Sequence, residues 1–336
     1  MNPLYISKEE VAQSLSMEKC IALMEEAFTA LANGQALQPL RSLMWLPDKT
    51  GLLGMMPAYS ADKKMMGIKV ISAFSGNKKF GLSSHQGAVL LFESTHGQLL
   101  AIADGDEITA IRTAAVSALA TKLLSRNVIS TLAVLGSGTQ AQQHVEAMLC
   151  VRKINSIKIW SRDISNAEEL ATHIFKKHNI TATAVKNAKD AITEADIICT
   201  TTASPTPVVQ HEWIKKGAHI NAVGSCTPNT RELDTATVTN SKLYTDKYES
   251  LYNESGDFII PKKEGVLNDD HVKGELGEVI TGKKKGRETD DEITLFKSLG
   301  IAIEDIYAAN FVYQTMLQKN NPGKVNIKFR TLFFNF

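Results

Sequence analysis

The segment Thr131-Leu-Ala-Val-Leu-Gly-Ser-Gly-Thr-Gln-Ala141 decides the fold, because an apolar run leads directly into a Gly-x-Gly-x-x-Ala pattern. A strand, a tight glycine turn and the first turn of a helix present N–H groups that hold a pyrophosphate. Such turns also occur where a strand merely bends into a helix, so context matters. Here a second apolar run, 156–160, follows at βαβ spacing, which predicts dinucleotide binding and redox chemistry. The expected contacts are Gly136, Gly138, Thr139 and Gln140.

The residues after this second run bear on which dinucleotide binds. An NAD site usually has an acidic residue there for the ribose 2′-hydroxyl, whereas an NADP site favours an arginine for the 2′-phosphate. This chain has Ser161, Arg162 and Asp163. The guanidinium of Arg162 is suited to grip a phosphate, and Ser161 adds a hydrogen bond, so NADP(H) is preferred over NAD(H). The alternative is that Arg162 is a solvated cation and Asp163 binds the ribose of NAD.

Length and charge restrict the remaining possibilities. A chain of 336 residues, 43% of them hydrophobic, is long enough for two domains. With 37 basic and 36 acidic residues, its formal charge of +1 gives no overall field for nucleic acid or an anionic membrane. The expected partner is therefore a small molecule.

Neither the N-terminus nor the cysteines indicate export. No apolar run reaches the roughly 20 residues that span a bilayer, and the first residues lack a basic segment followed by an apolar one. We therefore expect a cytoplasmic protein. The four cysteines are widely scattered, without paired spacing or a neighbouring histidine cluster, so free thiols and no metal site are predicted.

The first third of the chain has a different pattern of apolar residues from the nucleotide domain. Ser7 and Glu10 form a capping-box pattern, and apolar residues at helical spacing predict a helix over 17–33. Short apolar runs separated by Gly, Pro, Asn and Asp then predict a strand-rich module. An alanine-rich helix over 108–124 leads into the nucleotide domain. The strands of the module are predicted at 67–74, 88–92 and 98–103.

The nucleotide domain continues as alternating elements, which predict an α/β fold with a doubly wound parallel sheet. A last helix is expected over 303–316, returning to the first domain. The aromatic and basic tail, 324–336, suits an oligomer contact as well as a disordered end. The further predicted elements are strands at 180–185, 195–201 and 219–223 and a helix at 188–194.

Several runs, in the right order, resemble the ornithine cyclodeaminase/mu-crystallin family, over about residues 37–313. This resemblance implies a Rossmann domain at 129–311 and a discontinuous α+β substrate-binding and dimerisation domain at 1–128, completed by 312–336. It also implies a homodimer. The runs are 53–61 (LGMMPAYSA), 84–93 (SHQGAVLLFE), 108–117 (ITAIRTAAVS), 217–224 (GAHINAVG), 275–282 (ELGEVITG) and 296–305 (FKSLGIAIED).

Two departures indicate the branch within that family. The cyclodeaminases it contains carry acids where this chain has Gly54 and Cys226. Loss of ammonia needs groups that handle protons at the amine, whereas reduction of a preformed ketimine does not. The resemblance therefore implies NAD(P)H-dependent reduction of ketimine carboxylates, such as pyrroline- or piperideine-2-carboxylate, to amino acids. The alternatives are an amino-acid dehydrogenase or reductive aminase, an ornithine or lysine cyclodeaminase, and a non-catalytic NADP-binding protein.

The resemblance also assigns roles to three cations, which together would line a positively charged cavity. Arg41 is expected to clamp the substrate carboxylate, Lys69 to assist binding or protonate the imine nitrogen, and Arg112 to face cofactor phosphate and substrate. Each has an alternative. Arg41 would otherwise be solvated, Lys69 would extend to solvent from an edge strand, and Arg112 would pair with Asp104 or Asp106.

The remaining site residues are also assigned by resemblance. Glu254 is expected to relay a proton, although a surface turn would have the same sequence. His85 is as consistent with a structural role, and no histidine is tied by motif to Cys226 as a base, which argues against a nucleophile there. Further expected cofactor contacts are Thr113, Thr201, Val223, Ser298 and Leu299, and the expected pocket residues are Met56, His85 and Cys226.

Overall fold

The computed structural model describes residues 2–320, and within them the strands form two separate sheets. The first sheet has seven strands in the order β1-β7-β6-β5-β4-β2, with β3 paired to β4. Its pairs are antiparallel, except that β1 runs parallel to β7. The strands are β1 (Leu4–Ile6), β2 (Ala36–Leu37), β3 (Ser42–Trp45), β4 (Leu52–Ser60), β5 (Met65–Ala73), β6 (His85–Glu93) and β7 (Leu99–Asp104).

Three helices accompany this sheet: α1 (Lys8–Ser14), α2 (Met17–Ala32) and α3 (Gly105–Leu124). The predicted capping box is present, because Ser7 and Glu10 each accept a hydrogen bond from the other's backbone. Helix α3 begins three residues before the predicted start, since the carboxylate of Asp104 accepts the N–H of Glu107 and caps it. Almost every residue of α3 is buried, so this helix forms the interior on which both sheets rest.

The second sheet is entirely parallel and has eight strands in the order β10-β9-β8-β11-β12-β15-β13-β14. This confirms the predicted doubly wound α/β sheet. The sequence pattern does not predict β13, β14 and β15, which are short and lie between helical segments. The strands are β8 (Thr131–Leu135), β9 (Ser156–Trp160), β10 (Thr181–Val185), β11 (Ile197–Thr200), β12 (His219–Ala222), β13 (Lys242–Thr245), β14 (Val272–Glu275) and β15 (Thr294–Lys297).

The helices α4 to α10 connect these strands. Three short 3-10 helices lie at Ser75–Phe80, His211–Trp213 and Asp269–His271. Among residues 2–320, no helix is both long and apolar enough to cross a bilayer. The connecting helices are α4 (Thr139–Val151), α5 (Ile164–His178), α6 (Ala188–Ile192), α7 (Thr235–Thr239), α8 (Tyr248–Glu254), α9 (Gly256–Lys263) and α10 (Leu276–Ile280).

The last described helix, α11 (Ala302–Asn320), returns to the first part of the chain. It packs on α2 and α3 and on the strands β4, β5 and β6. These contacts begin before residue 312, where the returning segment was expected. The boundaries 1–128, 129–311 and 312–336 stay a prediction, and the aromatic tail at 324–336 lies outside the described residues.

Candidate active site

The glycine turn between β8 and α4 has the geometry that a pyrophosphate needs. Gly136 has a φ of +124°, and a Cβ at this position would lie 2.5 Å from Thr201 Oγ1, so a side chain is excluded. Gly138 is the N-cap of α4 and provides no side-chain cap. The first N–H groups of this helix, from Thr139 and Gln140 onward, therefore have no capping side chain in competition with an anion.

The end of β9 presents Arg162 to solvent. Its guanidinium makes no hydrogen bond or ion pair with residues 2–320, whereas its neighbours are engaged. Ser161 Oγ accepts from Ser137 Oγ at 2.9 Å, which joins this strand end to the glycine turn. Asp163 is the N-cap of α5, where Oδ1 accepts from the backbone N–H and the hydroxyl of Ser165. Helix capping therefore accounts for at least one oxygen of this carboxylate.

Ser298, after β15, and Gln140, on α4, have buried polar atoms without partners in the described chain. These atoms show whether the residues fit a dinucleotide. Ser298 follows β15, and its hydroxyl is buried with no hydrogen bond in the described chain. The amide oxygen of Gln140 is also buried and unpaired, while its Nε2 donates to Thr109 O at 3.4 Å. Buried polar groups are normally satisfied, so these atoms mark a place where a polar ligand fits. Together with the uncapped α4, they fit a nicotinamide dinucleotide.

Four buried charges on β5, α3 and α11 form a charge quartet: Lys69, Arg112, Glu304 and Asp305. Lys69 Nζ lies 2.9 Å from Asp305 Oδ2, and Arg112 Nε lies 2.9 Å from Asp305 Oδ1. The Nη1 atom of Arg112 contacts the carboxylate of Glu304. Lys69 is 2% exposed and Arg112 is 3% exposed, so neither extends to solvent. Arg112 pairs with the two acids of α11 rather than with Asp104 or Asp106 at the start of α3.

The surroundings of the quartet alter its proton affinities. Burial and the nearby Arg112 guanidinium lower the pKa of Lys69 to about 8, although Asp305 opposes this. Burial raises the pKa of Glu304, against the attraction of Arg112. Lys69 also donates to Thr109 Oγ1 at 3.3 Å. Since Thr109 O accepts from Gln140, a continuous chain of contacts leads from the Lys69 ammonium to the dinucleotide helix.

Arg41 lies in the segment between β2 and β3 and reaches the end of α8 and the segment that follows β15. Its Nε lies 2.9 Å from Glu254 Oε1, and its Nη2 donates to Leu299 O at 2.7 Å and Gly300 O at 2.8 Å. The side chain is 18% exposed, so it is largely withdrawn from solvent. Glu254 Oε2 is buried and unpaired, and burial raises the pKa of this carboxyl. Arg41 and Glu254 therefore form an ion pair, and the second oxygen of the Glu254 carboxylate has no partner in the described chain.

Gly300 brings the two arginines together. Its carbonyl accepts from Arg41, and a Cβ on it would lie 2.6 Å from Arg112 Nη1. Asp246, fully buried after β13, accepts the backbone N–H groups of Leu299 and Gly300 at 2.6 and 2.8 Å. Arg41 and Arg112 thus both lie at Gly300, and Asp305 links Lys69 to Arg112. The expected positively charged cavity needs correction, because each cation is paired with an acid; burying an uncompensated charge would cost several kcal/mol.

The other predicted residues are distributed around this centre. Met56 is buried on β4 directly opposite Lys69 on β5, and Thr113 is buried on α3 next to Arg112. His85 is exposed at the start of β6 and contacts the hydroxyl of Ser84. The Cys226 thiol donates to Val223 O at 3.5 Å, and burial raises its pKa, which disfavours a thiolate nucleophile. All four cysteines are free.

Asp246, Glu304 and Asp305 are functional acids that were not predicted from the sequence. Glu304 and Asp305 stand in the quoted run 296–305, but nothing in their spacing indicated partners on β5 and α3, some 200 residues away in the chain. A usable signal was present in α11: two adjacent acids in a helix that is otherwise apolar at its start. Such acids are almost never buried without a partner.

Comparison with known proteins agrees with this geometry. The family model described as "Ornithine cyclodeaminase/mu-crystallin family" matches residues 1–320. The ketimine reductase mu-crystallin of Mus musculus is 39% identical over 93% of this chain and 97% of its own. The Delta(1)-pyrroline-2-carboxylate reductase of Thermococcus litoralis, solved with NADH and L-proline, superposes with a TM-score of 0.92 at 39% identity, covering 94% of this chain and 98% of its own. An archaeal alanine dehydrogenase dimer with bound NAD has a TM-score of 0.90 at 33% identity, covering 95% and 98%.

Proposed function

The chain belongs to the ornithine cyclodeaminase/mu-crystallin family, and from this premise we propose that it reduces ketimine carboxylates with NAD(P)H. Cyclic imino acids, such as pyrroline- or piperideine-2-carboxylate, are the proposed substrates and the corresponding amino acids the products. The observation that carries the proposal is the linked placement of the three cations: Arg41 and Arg112 both lie at Gly300, and Asp305 joins Arg112 to Lys69. The relatives named as reductases of such imines support it.

Arg41 is the proposed clamp for the substrate carboxylate. Its guanidinium is held by Glu254 and by two carbonyls, so its position is set before a substrate arrives. An arginine binds a carboxylate in a fixed orientation, which places the neighbouring imine carbon against the cofactor. When bound, the nicotinamide supplies a hydride to that carbon.

Lys69 is the proposed source of the proton that the imine nitrogen takes up. A pKa of about 8 leaves the ammonium mostly protonated at neutral pH and makes it a stronger acid than an ordinary lysine. Asp305 stabilises the ammonium in place through both carboxylate oxygens. Glu254, with its unpaired oxygen, is a second group suited to hold a proton near the substrate.

We propose NADP(H) as the preferred cofactor, because Arg162 is exposed at the end of β9 while Asp163 is engaged in capping α5. The related structures with NADH and NAD show that members of this fold also bind the unphosphorylated form. The preference therefore depends on Arg162 rather than on the fold. A cytoplasmic location, expected from the sequence, stays a prediction.

The cyclodeaminase alternative is weakened by the surroundings of positions 54 and 226. Gly54 lies on β4, where a Cβ would lie 3.3 Å from Ile71 and 3.4 Å from Leu43. Cys226 directs its thiol to a backbone carbonyl. Neither position offers the carboxylate that removal of an amino group requires.

A homodimer is also proposed, through the outer face of the first sheet. Strand β3 contributes Met44, which is 55% exposed, to this face, where it lies opposite Leu53 of β4; Leu43 and Trp45 project from the other face of the strand. Apolar side chains of β4 and β5 on the same face are only partly buried in the single chain. A contiguous apolar face of this kind is typical of an association surface, and the related alanine dehydrogenase is a dimer.

The proposal is tested by following NADPH absorbance with a panel of cyclic ketimines, and in parallel with 2-oxo acids plus ammonia. Rapid oxidation of NADPH with the ketimines is expected, with the mixed 2-oxo acid and ammonia substrates much slower. Turnover confined to the 2-oxo acids would favour the amino-acid dehydrogenase. Ammonia release from ornithine or lysine would favour the cyclodeaminase, and binding of NADPH without any turnover would favour the non-catalytic alternative.

A further inference from the structure

A buried carboxylate, Glu232, lies beneath the carboxyl ends of two strands that face the proposed dinucleotide. It is fully buried, and its two oxygens accept hydrogen bonds from four donor groups. Oε1 accepts from the backbone N–H and the hydroxyl of Thr202, both at 2.7 Å. Oε2 accepts from Thr200 Oγ1 and from the backbone N–H of Gly224, also at 2.7 Å. One side chain thus joins the end of β11 to the end of β12.

The packing around this carboxylate leaves no room for adjustment. A Cβ on Gly224 would lie 2.1 Å from Thr202 O and 2.6 Å from Glu232 Oε1, so only glycine allows the approach. Thr201 lies between the two threonines that Glu232 binds, and it also touches the glycine turn at Gly136. In open parallel sheets, ligands bind outside these strand ends.

A third strand end is tied to the same point. Asp257 Oδ1 accepts the backbone N–H groups of Glu232 and Leu233 at 2.9 and 3.0 Å. Its Oδ2 lies 3.0 Å from Nζ of Lys297, the last residue of β15. Ser298, with its unpaired hydroxyl, follows directly. The ends of β11, β12 and β15 are therefore connected through buried charges that the proposed reaction does not use.

We infer that Glu232 is a positioning residue for the dinucleotide: it sets the spacing between the ends of β11 and β12 and so places Thr201 and Val223 against the cofactor. The inference rests on the proposed use of NAD(P)H, but not on the imine chemistry. Glu232 touches neither the cofactor nor the substrate in this assignment, and its effect passes through the backbone of segments 200–202 and 223–224.

Glu232→Gln is the decisive variant, because glutamine has the same shape and cannot satisfy the site. Each carboxylate oxygen accepts one backbone N–H, from Thr202 on one side and Gly224 on the other. In either orientation, the new NH₂ group faces a backbone N–H, and two donors repel each other. The strand ends should therefore separate while the side-chain volume stays unchanged.

The chain offers a matched control at the opposite end of the same strand. Asp196 precedes β11, and its Oδ2 accepts the backbone N–H groups of Ser130 and Thr131. Its Oδ1 pairs with Arg126 and Lys215. Asp196→Asn thus alters an equally connected carboxylate at the amino ends of the strands, away from the proposed cofactor.

The experiment measures Kd for NADPH and NADH by fluorescence titration without substrate, together with Tm for each variant. Glu232→Gln is expected to weaken both cofactors about tenfold or more, which corresponds to the loss of charged hydrogen bonds, while Asp196→Asn stays within about twofold of wild type. With imine present, KM for the cofactor should rise more than kcat falls. If Glu232→Gln does not fold, Thr200→Val removes a single donor isosterically and should weaken binding a few-fold.

Wild-type Kd in Glu232→Gln, or equal losses in both variants, would overturn the inference, since the second result indicates general destabilisation. If the wild-type protein binds neither cofactor, the proposed function itself fails, and the inference fails with it. Binding of NADPH by the wild type without turnover of any imine would leave Glu232 testable through Kd alone.

Discussion

The two halves of the candidate site are built in opposite ways. The glycine turn, Thr139, Ser161 and Arg162 lie within about 30 consecutive residues, and each element there follows from its own local sequence. The substrate half collects Arg41, Lys69, Arg112 and Glu254 with the acids of α11, from five distant segments. The first half is a local motif. The second exists only once the chain has folded, so perturbing each half should have separable consequences.

The largest expected effect is on the substrate half. Lys69→Met retains most of the side-chain volume but removes the proton and the partner of Asp305. Loss of a general acid costs about 10²–10⁴ in rate, so kcat/KM for a cyclic ketimine should fall by that factor. If the two halves of the site are independent, NADPH affinity should change by less than about twofold. Steady-state kinetics and cofactor titration measure the two quantities.

Lys63→Met is the matched control, because Lys63 makes a more exposed ion pair with Glu26. It should leave kcat/KM unchanged. A Lys69→Met enzyme with wild-type kcat/KM would remove Lys69 from the proposed mechanism. Equal losses of turnover and NADPH affinity would instead show that the two halves are not separable.

The second effect concerns stability. Asp305→Asn breaks a buried contact to both Lys69 and Arg112, and removing one partner of a buried pair typically costs about 3–5 kcal/mol. Glu26→Gln, in the more exposed pair with Lys63, should cost about 0–1 kcal/mol. Denaturant unfolding of both variants checks the difference. Similar values for the two would mean that the quartet is accessible to water.

The same contrast between local and distant contacts explains which elements could be predicted from the sequence. Helix α2, the strand at 131–135 and the glycine turn were predicted because capping residues, periodicity and Gly136 act over a few neighbours. The short strands β13 to β15 were missed, since strands of only four residues are too short to show a reliable period. Their place in the sheet is set by packing between distant strands.

The cations of the site and Glu254 were predicted by resemblance, but the acids that pair with Lys69 and Arg112 were not. Asp305 joins Lys69 to Arg112, yet it lies more than 190 residues from either in the chain. No local pattern encodes a contact over that distance. The requirement that buried charges be paired predicts only that partners must exist. The pairing of each cation with an acid could therefore be established only from the structure.

The third effect belongs to the dinucleotide half. Arg162→Ala removes an exposed guanidinium at the end of β9. If it binds the 2′-phosphate, kcat/KM for NADPH should fall by about tenfold or more, the value of a charge-assisted contact, while that for NADH changes little. Lys285→Ala, which removes an exposed cation paired with Glu288, is the control. Equal losses with both cofactors would contradict the phosphate role and favour NAD.

The smallest effect is a pH dependence that returns to Lys69. Because its pKa is lowered to about 8, the ammonium loses its proton as the pH rises through that value, and the protonated form is the proposed donor. Reductive kcat/KM should therefore fall by about fourfold between pH 7 and 8.5, as expected for one group with this pKa. The variant Lys69→Arg separates the titration of Lys69 from any titration of the substrate. Its guanidinium stays charged, and the decline should then follow the imine alone. An unchanged profile in Lys69→Arg would assign the pH dependence to the substrate and leave Lys69 with a purely electrostatic role.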